Sequence, residues 1–193
     1  MQKRLLPFLS LLLVIWGCGE AGIESDISKG VAIDPINVSI SVPAQAVGLL
    51  LPETPPITVS TGPIEISGEE FEDYLSDAQR FTINEITYSI ENFPAGSEAD
   101  LDIAIDISVA GATPIRLLAT TVTDAQDNVT EVVLYPTAQV NAAAISALEQ
   151  ALLNGQSFEM EIELVGKNVT LQSQSVDFDL VFKFDLTARL KLD

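Results

Sequence analysis

Polar and apolar residues alternate with a period of two along most of this chain, the pattern of strands that bury one face and leave the other in water. Val38, Ile40 and Val42 alternate with Asn37, Ser39 and Ser41, and Ile57 and Val59, then Ile64 and Ile66, continue the pattern across a Thr61-Gly62-Pro63 turn. Leu101, Ile103, Ile105, Ile107 and Val109 alternate with Asp102, Ala104, Asp106 and Ser108; Phe158, Met160, Ile162 and Leu164 alternate with Glu159, Glu161 and Glu163. The longest run sets Val176, Phe178, Leu180, Phe182, Phe184 and Leu186 against Asp177, Asp179, Val181, Lys183 and Asp185. Further strands are expected at Phe81 to Glu91, Arg116 to Thr123 and Thr130 to Tyr135, separated by turn-forming stretches at Asn92 to Gly96, Gly111 to Pro114 and Asp124 to Asn128. Eight or nine strands result.

One segment breaks the period. Between residues 138 and 154, Val140, Ala144, Ala147, Leu148, Ala151 and Leu152 recur at helical spacing, with Asn141 placed to cap the start and Asn154-Gly155 to close the end. A second, shorter helical turn is expected at Glu69 to Ala78, where Phe71, Tyr74, Leu75 and Ala78 share a face and would plug an open end of the core. Many one-sided strands, frequent turns and one helix predict a mainly β chain, an antiparallel β-sandwich of immunoglobulin-like or jelly-roll-like form. A transmembrane β-barrel shares the ten-residue alternation, but the chain has no aromatic girdles to mark the two interfaces.

The first residues follow a different logic. Met1, Gln2, Lys3 and Arg4 make a positive start, and an apolar run from Leu5 to Ile15 follows, interrupted by Pro7 and Ser10. Crossing a bilayer takes about 20 apolar residues, and this run meets Gly17, Gly19 and Glu20 too early. It has the outline of a secretory signal peptide.

At its end, Ile15-Trp16-Gly17-Cys18 resembles the lipobox of bacterial lipoproteins. That resemblance implies cleavage before Cys18, a diacylglyceryl group on its sulfur, an acyl chain such as palmitate on its amine, and insertion in the cell envelope. Gly19, in place of the aspartate that marks inner-membrane retention in this family, implies the outer membrane, with the domain periplasmic or surface-facing. Two or more acyl chains suffice for stable anchoring where one is marginal. The expected organisation is therefore a signal peptide at 1–17, a lipidated cysteine with a flexible acidic tether at 18–30, and a single domain at 31–193. The tether is expected because "GEAGIESDISKG" is small, polar and acidic, without periodicity.

Composition narrows the chemistry. The 193 residues carry 28 acids against nine bases, a formal charge of −19, and Lys3 and Arg4 leave with the signal. Such a surface repels phosphate backbones, so no nucleic-acid partner is expected. With Cys18 committed to lipid, the domain has no internal disulfide. The absence of histidine excludes Ser-His-Asp, Cys-His and His-ligated zinc arrangements. The lysines after Cys18 (Lys29, Lys167, Lys183 and Lys191) lie in no nucleophile motif, and Lys183 is expected to make ion pairs on its strand face.

Paired carboxylates such as Asp102 and Asp106, or Asp177 and Asp179, have the residue types that glycoside hydrolysis uses. Their positions on the polar faces of half-buried strands assign them to solvent instead. A calcium ion would find its richest oxygen set at Asp124, Asp127 and Asn128, although that loop lacks the Asp-x-Asp-x-Asp-Gly spacing. No cofactor other than the covalent lipid is expected. The reading that follows is a non-enzymatic, membrane-anchored binding, adhesion or assembly module with a protein partner in the envelope. Two alternatives stand beside it: a carrier holding an apolar ligand against Phe178, Phe182 and Phe184 with helix 138–154 as its lid, and a carboxylate-based hydrolase.

Overall fold

A computed structural model describes residues 23–65, 78–127, 129–137 and 139–192. Ten strands and one helix are present among them: β1 (Ile23–Ala32), β2 (Ile36–Ser41), β3 (Leu51–Glu53), β4 (Ile57–Ser60), β5 (Ala78–Glu91), β6 (Glu98–Val109), β7 (Ile115–Val122), β8 (Val132–Tyr135), α1 (Ala142–Leu153), β9 (Phe158–Thr170) and β10 (Ser175–Leu192). They form two five-stranded antiparallel sheets. One has the order β1-β10-β5-β8 with β2 also on β10; the other has β3-β9-β6-β7 with β4 also on β9.

The pairings nest. β6 pairs β7, β5 pairs β8, β3 and β4 pair β9, and β1 and β2 pair β10, so each pair encloses the previous one in sequence. A chain paired in this way is one long antiparallel ribbon, and rolling it up sends successive pairs to alternate sheets. That is the jelly-roll arrangement rather than the immunoglobulin one.

The apolar faces behave as their alternation demands. Phe158, Met160, Ile162 and Leu164 of β9 and Val176, Phe178, Leu180, Phe182, Phe184 and Leu186 of β10 are all buried. Across the sandwich the rings of Phe158 and Phe184 meet edge to face with centroids 6.2 Å apart, a geometry favoured by the ring quadrupoles. Register shifts adjust the phase at several points, and two of them place neighbouring residues in the core. Ile83 and Ile86 of β5 are both buried because the register with β10 shifts between them, and Leu117 and Leu118 of β7 are both buried at a shift against β6.

The helix occupies the predicted place. Asn141 caps it, its side-chain oxygen accepting from the Ala143 N–H at 3.0 Å, while its amide donates to the Arg116 carbonyl at 3.0 Å and fixes the helix start on β7. Ala144, Ile145, Leu148 and Leu152 join the core. Gly155 leaves the helix with φ +60, where a side chain would be strained.

The structure corrects several expectations. Residues 23–30, assigned to a tether ending at residue 30, belong to β1, which pairs with β10 from Ile23↔Leu192 to Ala32↔Lys183. Its alternation is masked in the sequence because an edge strand half-buries Ile27 and Val31 and leaves the residues between them to solvent. β3 was not expected; Pro52 within it is tolerated because the strand lies at a sheet edge. Ile64 makes an isolated bridge to Phe158, and Ile66 lies outside the described residues. Ala78 opens β5, and the rest of the expected helical turn at Glu69 to Ala78 lies outside the described residues.

Candidate functional site

Ile15, Trp16, Gly17 and Cys18 lie outside the described residues, as does Asn128. The nearest described position to the lipobox is Ile23, opposite Leu192 at the end of β10.

Beside Phe182 the two sheets pack closely. A half-open gap there, walled by Tyr88, Ile103, Leu118, Leu134 and Phe182, measures about 10 Å³, at the limit for a single water molecule. Burial pushes the Tyr88 phenol above its ordinary pKa, as expected for a hydroxyl drawn into such a wall. Phe178, Phe182 and Phe184 are core side chains, and α1 packs against β5, β6 and β7 on one side of that core.

Three carboxylates on the sheet faces join neighbouring strands. Asp106 takes two hydrogen bonds from Arg116, at 2.6 and 3.1 Å, joining β6 to β7. Asp26 takes two from Arg189, at 3.0 and 3.2 Å, joining β1 to β10. Asp102 accepts from the Thr121 hydroxyl at 2.7 Å. Lys183 does form an ion pair, but with Glu131 at 2.6 Å rather than with its strand neighbours, and Lys167 pairs Glu53 at 2.6 Å.

Among the described residues, where carboxyl pKa values are displaced they move down. The hydrogen bond from Arg189 lowers Asp26 and that from Lys183 lowers Glu131. The Asn168 amide and the Asp124 N–H lower Asp100, and the Asn92 and Asn37 amides lower Asp179. A general acid needs the opposite displacement.

The expected calcium ligands are separated in role. Asp124 turns its backbone N–H to the Asp100 carboxylate at 3.1 Å, its own carboxylate accepts from Gln126, and Asp127 closes a 3-10 turn through its N–H to the Asp124 carbonyl. Among the described residues no group of three or more Cys, Asp or Glu side chains is arranged to hold a metal. An open cleft of about 520 Å³ lies between the β1–β2 corner and the stretch after β4, with Ile33, Asp34, Pro35, Thr61, Ile64 and Glu65 on its walls.

One feature was missed in the alternation. From Pro35 to Pro52 the chain carries no charged residue, and this run contains Leu49 and Leu50, exposed at 59% and 66%. The signal was the length of the uncharged run in so acidic a chain, which a search for period-two faces passes over.

No family model and no curated protein matches the chain. Among solved structures it is similar to a chain of Desmodium yellow mottle tymovirus, with 10% identity and a TM-score of 0.38 over 90% of this chain and 92% of that one. It is also similar to a chain of nora virus, with 13% identity and a TM-score of 0.33 over 91% and 67%. A third similarity is to infectious bursal disease virus strain Gx, with 9% identity and a TM-score of 0.28 over 88% and 37%. The topology above rests on the strand pairing of this chain alone.

Proposed function

We propose that this chain is an exported lipoprotein, anchored in the envelope through Cys18, whose β-sandwich is a non-enzymatic binding or assembly module working through its outer surface. The observation that carries the reading is the packing of the phenylalanine face: Phe178, Phe182 and Phe184 are at most 3% exposed and the gap beside Phe182 is about 10 Å³, so these rings serve as core and recognition falls to loops, edges or faces. That favours a contact module over a carrier of apolar ligand. The downward displacement of the shifted carboxyls favours it over a carboxylate hydrolase. The pairing of Arg116, Lys167, Lys183 and Arg189 with acids leaves a surface dominated by negative charge, in keeping with a partner that is not nucleic acid.

Intact mass spectrometry of the protein taken from its native membrane tests the anchor, with and without an inhibitor of lipoprotein processing. The expected mass is that of residues 18–193 plus diacylglyceryl and acyl groups, shifting to the uncleaved form under inhibition. An unmodified chain cut elsewhere would overturn the anchor and leave a soluble exported domain.

A further inference from the structure

We propose that Asn154-Gly155 is a latent modification site: the closed end of α1 protects it from spontaneous deamidation, and deamidation, once it has occurred, keeps that end from closing again.

The chain itself supplies the chemistry. The Gly155 backbone nitrogen attacks the carbonyl carbon of the Asn154 side chain. A new N–C bond forms, the C–N bond of the side-chain amide breaks, and the proton of the Gly155 N–H passes through solvent to the leaving nitrogen, which departs as ammonia. Water then opens the cyclic imide at either carbonyl and leaves aspartate or isoaspartate at position 154. Glycine favours the attack because no Cβ shields its nitrogen and its backbone moves freely. Asn154 is the one asparagine in the chain followed by glycine; the others precede Val, Glu, Phe or Ala.

The folded helix end blocks this attack in two ways. Ring closure needs the Gly155 nitrogen to eclipse Cβ about the Asn154 Cα–C bond. At φ −92 and ψ 4 that nitrogen eclipses the Asn154 backbone nitrogen instead, so the side-chain carbonyl lies off to one side. The attacking group is also occupied. The Gly155 N–H donates to the Leu152 carbonyl at 3.1 Å and the Gln156 N–H to the Ala151 carbonyl at 2.8 Å. These are the paired bonds of a Schellman motif, with Gly155 at φ +60 as its left-handed residue. Turning ψ of Asn154 into the reactive geometry swings both N–H groups off their carbonyls.

The turn is held from both sides. Leu152 before it is 6% exposed and Phe158 after it 1%, and the Ala110 N–H donates to the Ser157 carbonyl at 3.2 Å, tying the connection to the end of β6. Asn154 and Gly155 are themselves exposed, so water reaches the site and only the reactive geometry is withheld. Reaction therefore waits on local opening of the last helical turn.

The product acts on the same turn. Deamidation places a carboxylate at the C-terminal end of α1, where the helix dipole is already negative and the last turn carries no basic residue. The isoaspartate form also adds a carbon to the backbone ahead of Gly155, so the two Schellman bonds no longer reach their carbonyls together. About one helical turn earlier, the Glu149 carboxylate accepts the Ile83 N–H at 3.0 Å, and fraying from this end runs toward that contact.

The test follows residue 154 in the full chain by peptide mapping with mass spectrometry, in one mildly alkaline buffer with and without denaturing urea. The unfolded chain is expected to deamidate at Asn154 ahead of its other asparagines, and the folded chain to react there more slowly by about tenfold or more, the protection of a segment that reacts only when it opens. Equal rates in the two states, or no preference for Asn154 in the unfolded chain, overturn the inference. A second measurement uses Asn154→Asp, which is the aspartate product itself. Amide hydrogen exchange at Gly155 and Gln156 is expected to be severalfold faster than in the wild type, while β9 and β10 keep their protection. Unchanged exchange at those two amides, or loss of protection along the whole chain, overturns the claim that the product holds this one turn open. Neither measurement depends on Cys18 being lipidated.

Discussion

Thr54 and Gly166 are tied by two reciprocal hydrogen bonds: the Thr54 N–H donates to the Gly166 carbonyl at 2.9 Å, and the Gly166 N–H donates to the Thr54 hydroxyl oxygen at 2.9 Å. The pair sits where the edge of the second sheet passes from β3 to β4 through Thr54-Pro55-Pro56, and it replaces the ladder bonds that two prolines cannot supply. A Cβ on Gly166 would lie 2.7 Å from a Val169 methyl and 3.1 Å from the Thr54 hydroxyl. Gly166→Ala is therefore expected to cost about 1–3 kcal/mol by overpacking. Thr54→Val keeps the shape but strands a buried N–H, at about 1–3 kcal/mol. Urea denaturation measures both, and wild-type midpoints would show that this edge is looser than drawn.

The helix guards the other edge. β8 pairs only with residues 86–88 of β5, and beyond it the Ile83 N–H donates to the Glu149 carboxylate of α1 at 3.0 Å. A helix side chain thus takes an edge-strand donor that would otherwise invite a foreign strand. Glu149→Gln keeps an acceptor and is expected to stay near wild-type stability, whereas Glu149→Ala loses about 1–3 kcal/mol. Equal loss in both variants would assign the effect to charge rather than to the bond.

Phe182 faces the interior at 3% exposure, tilted against Tyr88 with centroids 6.5 Å apart. Truncation to alanine is expected to cost about 3–5 kcal/mol. Val181→Ala, one residue away on the outer face, should cost far less, and similar losses at both positions in a denaturation series would contradict the assignment of faces.

Acid sensitivity has a defined sign. Asp179 accepts from Asn37 at 3.1 Å and Asn92 at 2.8 Å, and these bonds lower its pKa. A carboxyl that binds its proton less readily when folded contributes stability above its unfolded pKa of about 3.9, and that contribution disappears as pH falls through the folded value. Protonating the acids also relieves repulsion within a chain of charge −19, which pulls the other way. Asp179→Asn separates the two effects: its deficit against wild type should be largest at neutral pH and close below about pH 4, near the unfolded carboxyl pKa. A constant deficit from pH 7 to pH 3 would show that the charge of Asp179 contributes nothing.

The sequence by itself determined which residues face the core and where the helix begins and ends. Both follow from local rules: Phe178 to Leu186 alternate because a pleated strand turns every second side chain to one side, and Asn141 and Gly155 flank α1 because helix ends need a cap and a left-handed exit. Tertiary structure alone decided the rest. Ile23 to Ala32 became a strand because β10 offered an unpaired edge long enough to take both β1 and β2, and an edge strand needs little alternation of its own. The nested pairing that separates a jelly roll from an immunoglobulin fold, the register shifts between β5 and β10, and the meeting of Gly48 with Leu171 all join residues far apart in sequence. Alternation records only which side of a strand is buried and carries no trace of which strand lies beside it.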